Sequence, residues 1–572
     1  MMWLIISQMG FYSPTSQEWN QFGHDYKKTR RAPLKCTAPA NVNRIWTSED
    51  SPGNFFSSGS AVWNIVYDGN LDGTNEVMGG GTTSGFFSDN LLLRLHPYNS
   101  SGNIFEISGF AKDGNYRGLY TAGKVGNERR VLFTYDYDDS GWFSDDYGDK
   151  VRVINGWTGA TIWDQELCHN NYCLRGHPTT IDINEDGCPE VMFGYFTNII
   201  AKNLCNFSTI WNTNVSGLCA STVAVGKANN QWGVVVLSCD GRIRILNPYN
   251  GSILLTSPYY GSFKSGPLVS DLDNDNNDEI VFSASSGTVS GPNYICDDNI
   301  CNPYSCCNVC YYNKTLSIKA VKPISWTTLW SKDQTFSGYY PAQDDGWGNY
   351  YCPDDPPTFG SISEFAIGRI LPSNQLGIAY LQNNKLTVIR ADNGNTIASG
   401  IGDYYLNPSV ADLNGDGIEG VIVSDACGNP KEHSYVNGWT SPVWSAAGCA
   451  DEPPISSDLI IAKAWMNYNL NPPQGQLIIV EGDISCFTNT WLCQSAEQVT
   501  PLENWESINK PKFYYANGYL NIENYKGDIE IYKTDGSRIM KNYINNSSKI
   551  KISTKGIYII KANNETHKIV VN

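Results

Sequence analysis

The chain has 572 residues, a formal net charge of −17 and only 17% charged residues, a balance that argues against nucleic acid as a partner and against a disordered chain. Its length exceeds what one small core needs and indicates a repeat array or several domains. The 17 cysteines are typical of an oxidising compartment, and no apolar run reaches the length of a membrane span.

Residues 1–18 form an N-terminal segment that precedes the repeats. Residues 1–7 hold a short apolar run without a basic lead, which fits the remnant of a signal peptide or a wrongly assigned start. This segment does not establish export by itself, so the compartment has to be inferred from the rest of the chain.

Four Asp-rich loops recur between residues 19 and 505, and we call them loops 1 to 4 in chain order. Each has oxygen-bearing side chains at positions 1, 3 and 5 and leads into an apolar, β-prone run; loops 1 to 3 also have a carboxylate at position 9. Several oxygens from one short loop form the ligand set that Ca²⁺ prefers. The predicted ligands are Asp68, Asn70, Asp72 and Glu76 in loop 1, Asp182, Asn184, Asp186 and Glu190 in loop 2, Asp271, Asp273, Asp275 and Glu279 in loop 3, and Asp412, Asn414 and Asp416 in loop 4.

Loop 4 departs from the pattern, because Gly420 stands at position 9 and the acid has moved to Glu419 at position 8. Asp-rich turns also occur without metal, since Asp, Asn and Gly favour turns for their own reasons. Four copies, each followed by an apolar run, favour structural Ca²⁺ at up to four sites. An EF-hand is excluded, because its bidentate Glu stands at position 12 and a helix follows.

Strand pairs of a second type alternate with the loops at intervals of about 40–60 residues, close to the length of one propeller blade. Each pair has a short strand, a small residue, a basic residue, a turn and a second strand. A cation there could replace a metal by pairing with nearby carboxylates, or it could simply be solvated. The basic residues are Lys124, Lys227, Arg369 and Lys463.

Two further strands around a Gly-bearing turn follow many of these pairs, as in residues 151–163, 242–254 and 386–398. Four short strands per unit describe a propeller blade. The pattern predicts an all-β fold with a β-propeller of eight blades, or of seven if the pair at 459–480 is irregular. Because the two kinds of unit alternate, the four Asp loops are expected about a quarter-turn apart.

The Asp loops and the strands after them resemble the FG-GAP and VCBS calcium-binding propeller repeats, over about residues 19–505. The resemblance implies calcium in loops between the outer strands of a blade and leaves the partner open, since one fold hosts many functions. Eight-bladed rhamnogalacturonan lyases also carry Asp-rich calcium loops. Quinoprotein dehydrogenases share a Thr-Gly…Trp turn, which occurs here at Thr158, Gly159 and Trp163, and adjacent Cys306 and Cys307 resemble the vicinal disulfide of some of them.

Residues 285–357 form an insertion with an aromatic run at 338–351 and six cysteines. Disulfides are favoured over a zinc cluster, because only Cys307 and Cys310 have the Cys-x-x-Cys spacing. Tyr and Trp beside carboxylates suit sugar stacking or a protein interface; the alternative is a loop that only shields a blade edge. Nearby cysteines elsewhere suggest the pairs Cys168 with Cys173, Cys205 with Cys219, Cys427 with Cys449, and Cys486 with Cys493.

After about residue 505 acidic residues give way to Lys and the cysteines disappear. Residues 506–572 alternate apolar and polar residues around Gly turns, which predicts a small C-terminal β-sandwich. Ile-Tyr-x-x-x-Gly at 531–536, Gly-Ile-Tyr-Ile-Ile at 556–560 and Lys-Ile-Val at 568–570 resemble the type A sorting domain of type IX secretion substrates. That resemblance implies export across an outer membrane; a purely structural sandwich is the alternative.

The sequence therefore predicts a secreted or cell-surface calcium-stabilised β-propeller that acts in binding, adhesion or assembly of an extracellular fibre or matrix. The partner would be an extracellular protein or glycan, or other copies of the chain. The alternative is a polysaccharide lyase-like enzyme, which would need a base and acids on one propeller face. No catalytic residue is predicted, and His177, which precedes loop 2, is expected to be a buried structural histidine.

Overall fold

The computed structural model divides into two compact units, Met1–Ala496 and Glu497–Asn572. It contains strands and short 3₁₀ turns, and among its described residues there is no α-helix and therefore no helix suited to span a membrane. The described residues are 25, 27–36, 43–47, 64–84, 89–100, 102–112, 119–138, 147–169, 173–184, 186–219, 222–228, 231–295, 307–344, 349–356, 358–413, 416–425, 429–439, 441–445, 459–467, 474–481, 485–491, 493–494, 512–516, 519–533, 537–551, 556–562 and 565–571.

Eight sheets follow one another in the described part of the larger unit, and we number them sheets 1 to 8 in chain order. The strands β1 (Arg31–Cys36) and β2 (Asn43–Thr47) precede them. Sheets 1 to 4 consist of β3 (Asn64–Tyr67), β4 (Glu76–Ser84), β5 (Asp89–Pro97) and β6 (Phe105–Lys112); β7 (Leu119–Val125), β8 (Glu128–Asp138), β9 (Tyr147–Asn155) and β10 (Thr161–His169); β11 (Leu174–Ile181), β12 (Glu190–Tyr195), β13 (Asn198–Asn203) and β14 (Thr209–Asn214); and β15 (Ala224–Ala228), β16 (Gln231–Leu237), β17 (Arg242–Leu246) and β18 (Ile253–Tyr259).

Sheets 5 to 8 continue this order, with β1 added to sheet 7 and β2 to sheet 8. Their strands are β19 (Ser262–Phe263), β20 (Leu268–Ser270), β21 (Glu279–Ile295), β22 (Cys307–Lys322) and β23 (Thr327–Pro341), beside the small pair β24 (Gln343–Asp344) and β25 (Tyr350–Tyr351); β26 (Ala366–Leu371), β27 (Gln375–Gln382), β28 (Lys385–Arg390) and β29 (Thr396–Ile401); β30 (Ser409–Asp412), β31 (Gly420–Ser424), β32 (Pro430–His433), β33 (Trp444–Ser445) and β37 (Cys493–Gln494); and β34 (Ile460–Asn467), β35 (Gln474–Glu481) and β36 (Ser485–Trp491).

The first strands of neighbouring sheets pack against each other around a common centre. Strand β3 contacts β7, β7 contacts β11, β26 contacts β30, and β34 at the end of the series contacts β3 again. Between sheets 3 and 4, Thr179 Oγ1 donates to the Val223 carbonyl at 3.0 Å. A series of four-stranded sheets that returns to its own beginning is a β-propeller, and the predicted all-β propeller fold is confirmed.

The core lies between the faces of adjacent sheets. Sheets 1 and 2 share a buried cluster that includes Ile65, Met78 and Leu93 with Val131 and Phe133. Because both faces of the inner strands are covered, the run Val-Met-Phe-Gly in β12 is buried throughout, whereas the outer strand β14 is mostly exposed and buries only Trp211. This explains why the inner strands follow the Asp loops as unbroken apolar runs.

Residues 25–31, which we call the crossing segment, run along the first strands of sheets 5, 6 and 7. The carbonyls of Lys27, Thr29 and Arg30 accept the main-chain N–H groups of Val269, Ile367 and Val410 at 3.0, 3.0 and 2.9 Å. Strand β1 then pairs in parallel with β30, and β2 pairs with β36 as the outer strand of sheet 8. The start of the chain thus joins sheets that are formed much later in the sequence.

Sheet 5 carries a long arm within the predicted insertion. Its strands β21, β22 and β23 have 17, 16 and 15 residues, and the pairing continues outward to Ile295 and Cys307. A disulfide joins Cys310 to Cys352 beside it, as expected for a stapled insertion. We call residues 286–295, 307–315 and 335–341 the arm.

The disulfides correct part of the predicted pairing. The bond between Cys168 and Cys173 is confirmed, but the pair Cys205 with Cys219 is wrong, because Cys205 bonds to Cys188 and Cys219 to Cys239. Loop 2 lies against the turn that holds Cys205, since the Leu204 N–H donates to the Pro189 carbonyl at 2.8 Å. The predicted pairs Cys427–Cys449 and Cys486–Cys493, and the Cys306 side of the vicinal pair, involve residues or side chains outside those described.

The C-terminal unit has its own all-β core. Its strands β38 (Lys512–Ala516), β39 (Tyr519–Lys533), β40 (Arg538–Lys551), β41 (Gly556–Ala562) and β42 (Glu565–Val571) form one continuous sheet. The sheet is continuous because β39 pairs with β40 along one edge and shares its other edge between β38 and β41. Leu520, Ile522, Ile529, Ile531 and Ile560 are buried together in it.

Candidate metal-binding loops

All four Asp loops lie at the same place in their sheets. They connect β3 to β4, β11 to β12, β20 to β21 and β30 to β31 in sheets 1, 3, 5 and 7, and in sheet 5 both β19 and β20 pair with β21 as its innermost strands. The second-type pairs are the first hairpins of sheets 2, 4, 6 and 8. The alternation along the chain is thus as predicted, and the quarter-turn spacing stays a prediction. The expectation of loops between outer strands is wrong, because the first strands are the inner ones that meet at the centre.

The carboxylate at position 1 organises the turn of each loop. In loop 1, Asp68 accepts the N–H groups of Asp72 and Gly73 at 3.0 and 2.8 Å, and in loop 3, Asp271 accepts those of Asp275 and Asn276 at 3.1 and 2.9 Å. The same bond joins position 6 to position 1 in loops 2 and 4, at 2.9 and 3.0 Å. The loops therefore share one backbone conformation, and position 6 has positive φ in each of them.

Positive φ explains the residue types between the ligands. Position 6 is Gly73 in loop 1, with φ of 90°, and Asn276 in loop 3, with φ of 65°. Glycine and asparagine tolerate this left-handed region better than other residues. At position 4 the same region is occupied by Leu71 and Asn274. The resulting tight turn brings the side chains of Asp271, Asp273 and Asp275 in loop 3 close to one another.

The acid at position 9 is buried at the base of each of the first three loops. Glu76, Glu190 and Glu279 are 5%, 3% and 0% exposed. In each, Oε2 accepts the main-chain N–H of position 2, at 2.7, 2.8 and 2.8 Å. Burial raises the pKa of the Glu190 and Glu279 carboxyls to about 7, and the neighbouring Asp charges act in the same direction.

Loop 3 has the densest set of carboxylates. One oxygen from each of Asp271, Asp273 and Asp275 lies within 4.8 Å of the others. Burial also raises the pKa of Asp271. Asp273 Oδ1 and Glu279 Oε1 are buried and have no hydrogen-bond partner among the protein atoms. Buried carboxylate oxygens are normally hydrogen-bonded or metal-bound, so the donor set fits a hard cation such as Ca²⁺.

Loops 1 and 2 bring their predicted ligands together in a related way. Asn70 Nδ2 donates to Asp72 Oδ2 at 2.9 Å, and Asn184 Nδ2 donates to Asp186 Oδ2 at 3.1 Å. Loop 2 is also fixed covalently, because Cys188 at position 7 bonds to Cys205. In loop 4, Asp412 and Asp416 are placed, and Asn414 lies outside the described residues.

Loop 4 has a different acid at its base. A side chain on Gly420, which stands at position 9, would collide with the buried carboxyl of Glu432 on the neighbouring strand β32. Glu432 is 0% exposed, and its carboxyl stands where the Cβ of a position-9 acid would be, so it takes the place of that side chain. The sequence did not indicate this replacement, because Glu432 lies outside loop 4 and comes close to Gly420 only through the pairing of β31 with β32.

Position 8 has a function that the sequence did not reveal. Asp278 in loop 3 accepts the Lys227 N–H at 2.7 Å and the Lys27 ammonium at 2.6 Å. Glu419 in loop 4 accepts the Arg369 N–H at 2.6 Å and the Arg31 guanidinium at 2.7 and 2.9 Å. These acids thus join a loop to the preceding sheet and to the N-terminal residues. Glu419 is therefore not a position-9 ligand that has moved to position 8. The sequence held one signal of this, because loop 3 has an acid at position 8, Asp278, in addition to Glu279 at position 9.

The small residue of the second-type hairpins is also explained by contact between neighbouring sheets. A Cβ on Gly226 would collide with Val269 of sheet 5, and one on Gly368 would collide with Val410 of sheet 7. Close approach of two inner strands therefore requires glycine there. For the following basic residue, the main-chain N–H makes the contact with the neighbouring acid in sheets 4 and 6.

Two further polar groups are structural. Asp149 lies beside Cys168 and Cys173, but those sulfurs are joined in a disulfide, and Asp149 Oδ2 accepts the Leu174 N–H at 2.6 Å. His177 is 3% exposed, as expected for a buried histidine. Burial lowers its pKa well below the ordinary value, and the charges of Lys28 and Arg30 lower it further.

No protein-family model and no curated protein matches the chain. Among solved structures it is similar to BamB from Moraxella catarrhalis, at 12% identity and a TM-score of 0.39, over 76% of this chain and 97% of that one. It is similar to the V. cholerae biofilm matrix protein Bap1, at 12% identity and a TM-score of 0.43, over 80% and 91%. It is also similar to Saccharomyces cerevisiae Sqt1, at 12% identity and a TM-score of 0.45, over 80% and 99%. By its own sheet topology the chain is a β-propeller with acidic loops on its inner hairpins.

Proposed function

We propose that this chain is a secreted or cell-surface β-propeller that is stabilised by calcium and binds an extracellular partner. The observation that carries the calcium proposal is loop 3. Three aspartates converge there, and two buried carboxylate oxygens, on Asp273 and Glu279, have no hydrogen-bond partner. The recurrence of its turn geometry in loops 1, 2 and 4 supports the same function for them, and agrees with the resemblance to FG-GAP and VCBS repeats.

Calcium in these loops would act on stability. Each loop joins the two inner strands of a sheet. A cation bound in the loop would neutralise carboxylates that otherwise repel one another. A ligand that binds only the folded state stabilises it by mass action. Loops 3 and 4 also contact the N-terminal residues through Asp278 and Glu419. Calcium there would therefore support the centre of the propeller.

The arm of sheet 5 is the surface that we assign to the partner. Tyr294 and Tyr339 on it, and Tyr350 and Tyr351 beside it, are 70%, 49%, 44% and 48% exposed. Tyrosines supply large contact area at low conformational cost and are enriched where proteins bind proteins or sugars. The strands that present them are paired along their length, so the aromatic rings lie on a rigid support. An extracellular protein, a glycan or a second copy of the chain would fit such a surface.

Secretion is supported by the covalent structure. Four disulfides lie among the described residues, and structural disulfides persist in oxidising compartments. The separate C-terminal unit agrees with a sorting domain of the type IX secretion kind, and we propose that it directs the chain to the cell surface. Adhesion or assembly of an extracellular matrix or fibre would be the resulting activity.

Removal of calcium tests the first part of the proposal. The full chain purified with calcium should contain the metal by elemental analysis, and EDTA should lower its melting temperature. Asp273→Ala should lower it in calcium and reduce the further effect of EDTA, whereas the neighbouring Asn274→Gly, which removes no predicted ligand and suits the positive φ of that position, should behave like the unchanged chain. An unaltered melting curve in EDTA together with no bound metal would contradict the proposal.

A further inference from the structure

Loop 3 differs from loops 1 and 2 at position 3. It carries Asp273 there, where the other loops carry Asn70 and Asn184. In loops 1 and 2 the asparagine amide donates to Oδ2 of the aspartate at position 5. Two aspartates cannot make that bond when both are ionised. Loop 3 therefore needs another donor between positions 3 and 5.

Lys322, at the end of β22, supplies that donor. Its Nζ lies 2.6 Å from Asp273 Oδ2 and 2.7 Å from Asp275 Oδ2. Its hydrogen bond lowers the pKa of Asp275, so the ammonium favours the ionised loop. Among the predicted ligands alone, loop 3 has four carboxylates where loops 1 and 2 have three each, and the ammonium of Lys322 offsets the additional one.

The ammonium and a metal would use different oxygens of Asp273. Lys322 binds the Oδ2 atoms, while Asp273 Oδ1 and Glu279 Oε1 are buried without a hydrogen-bond partner. A calcium ion on the latter oxygens would lie close to a positive charge that is already present. Like charges repel, so the lysine stabilises the metal-free loop more than the loaded one.

We propose that Lys322 is a resident counter-ion that keeps loop 3 folded without metal and weakens calcium binding there, so that loop 3 releases calcium before loops 1 and 2. This inference rests on the proposed calcium binding of the loops. It makes loop 3 responsive to the surrounding calcium concentration, while loops 1 and 2 act as permanent structural sites.

Hydrogen exchange of the full chain, followed by mass spectrometry during a calcium titration, tests the proposal because peptides from the three loops report separately. In the unchanged chain, residues 271–279 should become protected at higher calcium than 68–76 and 182–190. Lys322→Met should move the midpoint of loop 3 to about tenfold lower calcium, since two partly exposed ion pairs are lost. Loops 1 and 2 should not shift.

Two matched variants control for folding and for charge. Lys322→Arg keeps the charge and should keep the original midpoint. Lys319→Met removes a lysine from the same strand, where it pairs with Asp333 at 3.5 Å, and should leave all three loops unchanged. A loop 3 midpoint that is unmoved or weaker in Lys322→Met, with loops 1 and 2 still responding, would overturn the inference alone. A lack of response in every loop would overturn the proposed calcium binding.

Discussion

Replacing Asp278 by Ala should destabilise the propeller by about 3 kcal/mol, because this carboxylate joins sheet 4, sheet 5 and the crossing segment. The side chain is 5% exposed, and it binds the Lys227 N–H at 2.7 Å and the Lys27 ammonium at 2.6 Å. Loss of a charge-assisted bond to a main-chain N–H costs about 1.5–3 kcal/mol. Loss of a partly exposed ion pair adds up to about 1 kcal/mol.

Urea denaturation at saturating calcium, followed by tryptophan fluorescence, measures this change. Asp278→Asn should recover part of it, since an amide oxygen still accepts the N–H. In a double-mutant cycle, Asp278→Ala and Lys27→Met should show a coupling energy of about 1 kcal/mol. The exposed Asp333→Ala is the control and should change the unfolding free energy by less than about 0.5 kcal/mol. If Asp278→Ala is as mild as this control, or shows no coupling to Lys27, the assigned contact is wrong.

Three further outcomes are expected. A chain shortened to end near Trp505 should keep cooperative melting and calcium binding, since the C-terminal unit has its own core; insolubility would contradict this. His177 by itself should make stability fall as the pH drops below the ordinary histidine pKa of 6.5, because the unfolded chain then binds a proton that the buried ring does not. Glu190 and Glu279, whose pKa values are raised, act in the opposite sense, but equally in the unchanged chain and in His177→Gln. The unfolding free energy of the unchanged chain minus that of His177→Gln should therefore decrease below pH 6.5, and a difference that does not vary with pH would refute this. Gly420→Ala should cost about 1–3 kcal/mol in denaturation through overpacking against Glu432, and Glu432→Ala should relieve it; a neutral substitution would argue against the contact.

The sequence predicted those parts of the loops that depend on neighbours along the chain. The position-1 aspartate bonds to N–H groups four and five residues later, and the position-9 acid bonds to one seven residues earlier, so spacing alone reveals them. The four-stranded units were predictable for the same reason, because each hairpin is local. The ligand spacing that the loops share could therefore be read from the sequence alone.

The contacts that depend on packing between distant segments were not predictable. Lys322 lies 47 residues from Asp275, and the partners of Asp278 are 51 and 251 residues away. The sequence around Asp278 reads as a polar turn, and only the acid at the same position of loop 4, Glu419, indicated a shared role. The disulfide of Cys188 was missed for a related reason, because the cysteine lies inside loop 2 and its partner Cys205 is brought close by the turn after β13.

The N-terminal strands have a consequence for the order in which the protein can be made. Arg31 pairs with Glu419, which is synthesised 388 residues later, and β2 pairs with β36 at Ser485–Trp491. At a synthesis rate of about 5–20 residues per second, the first strands remain without their native partners for roughly 20–80 s. The ring therefore closes only after Ser485–Trp491 has been made, which leaves a long interval in which a chaperone can bind the unpaired first strands.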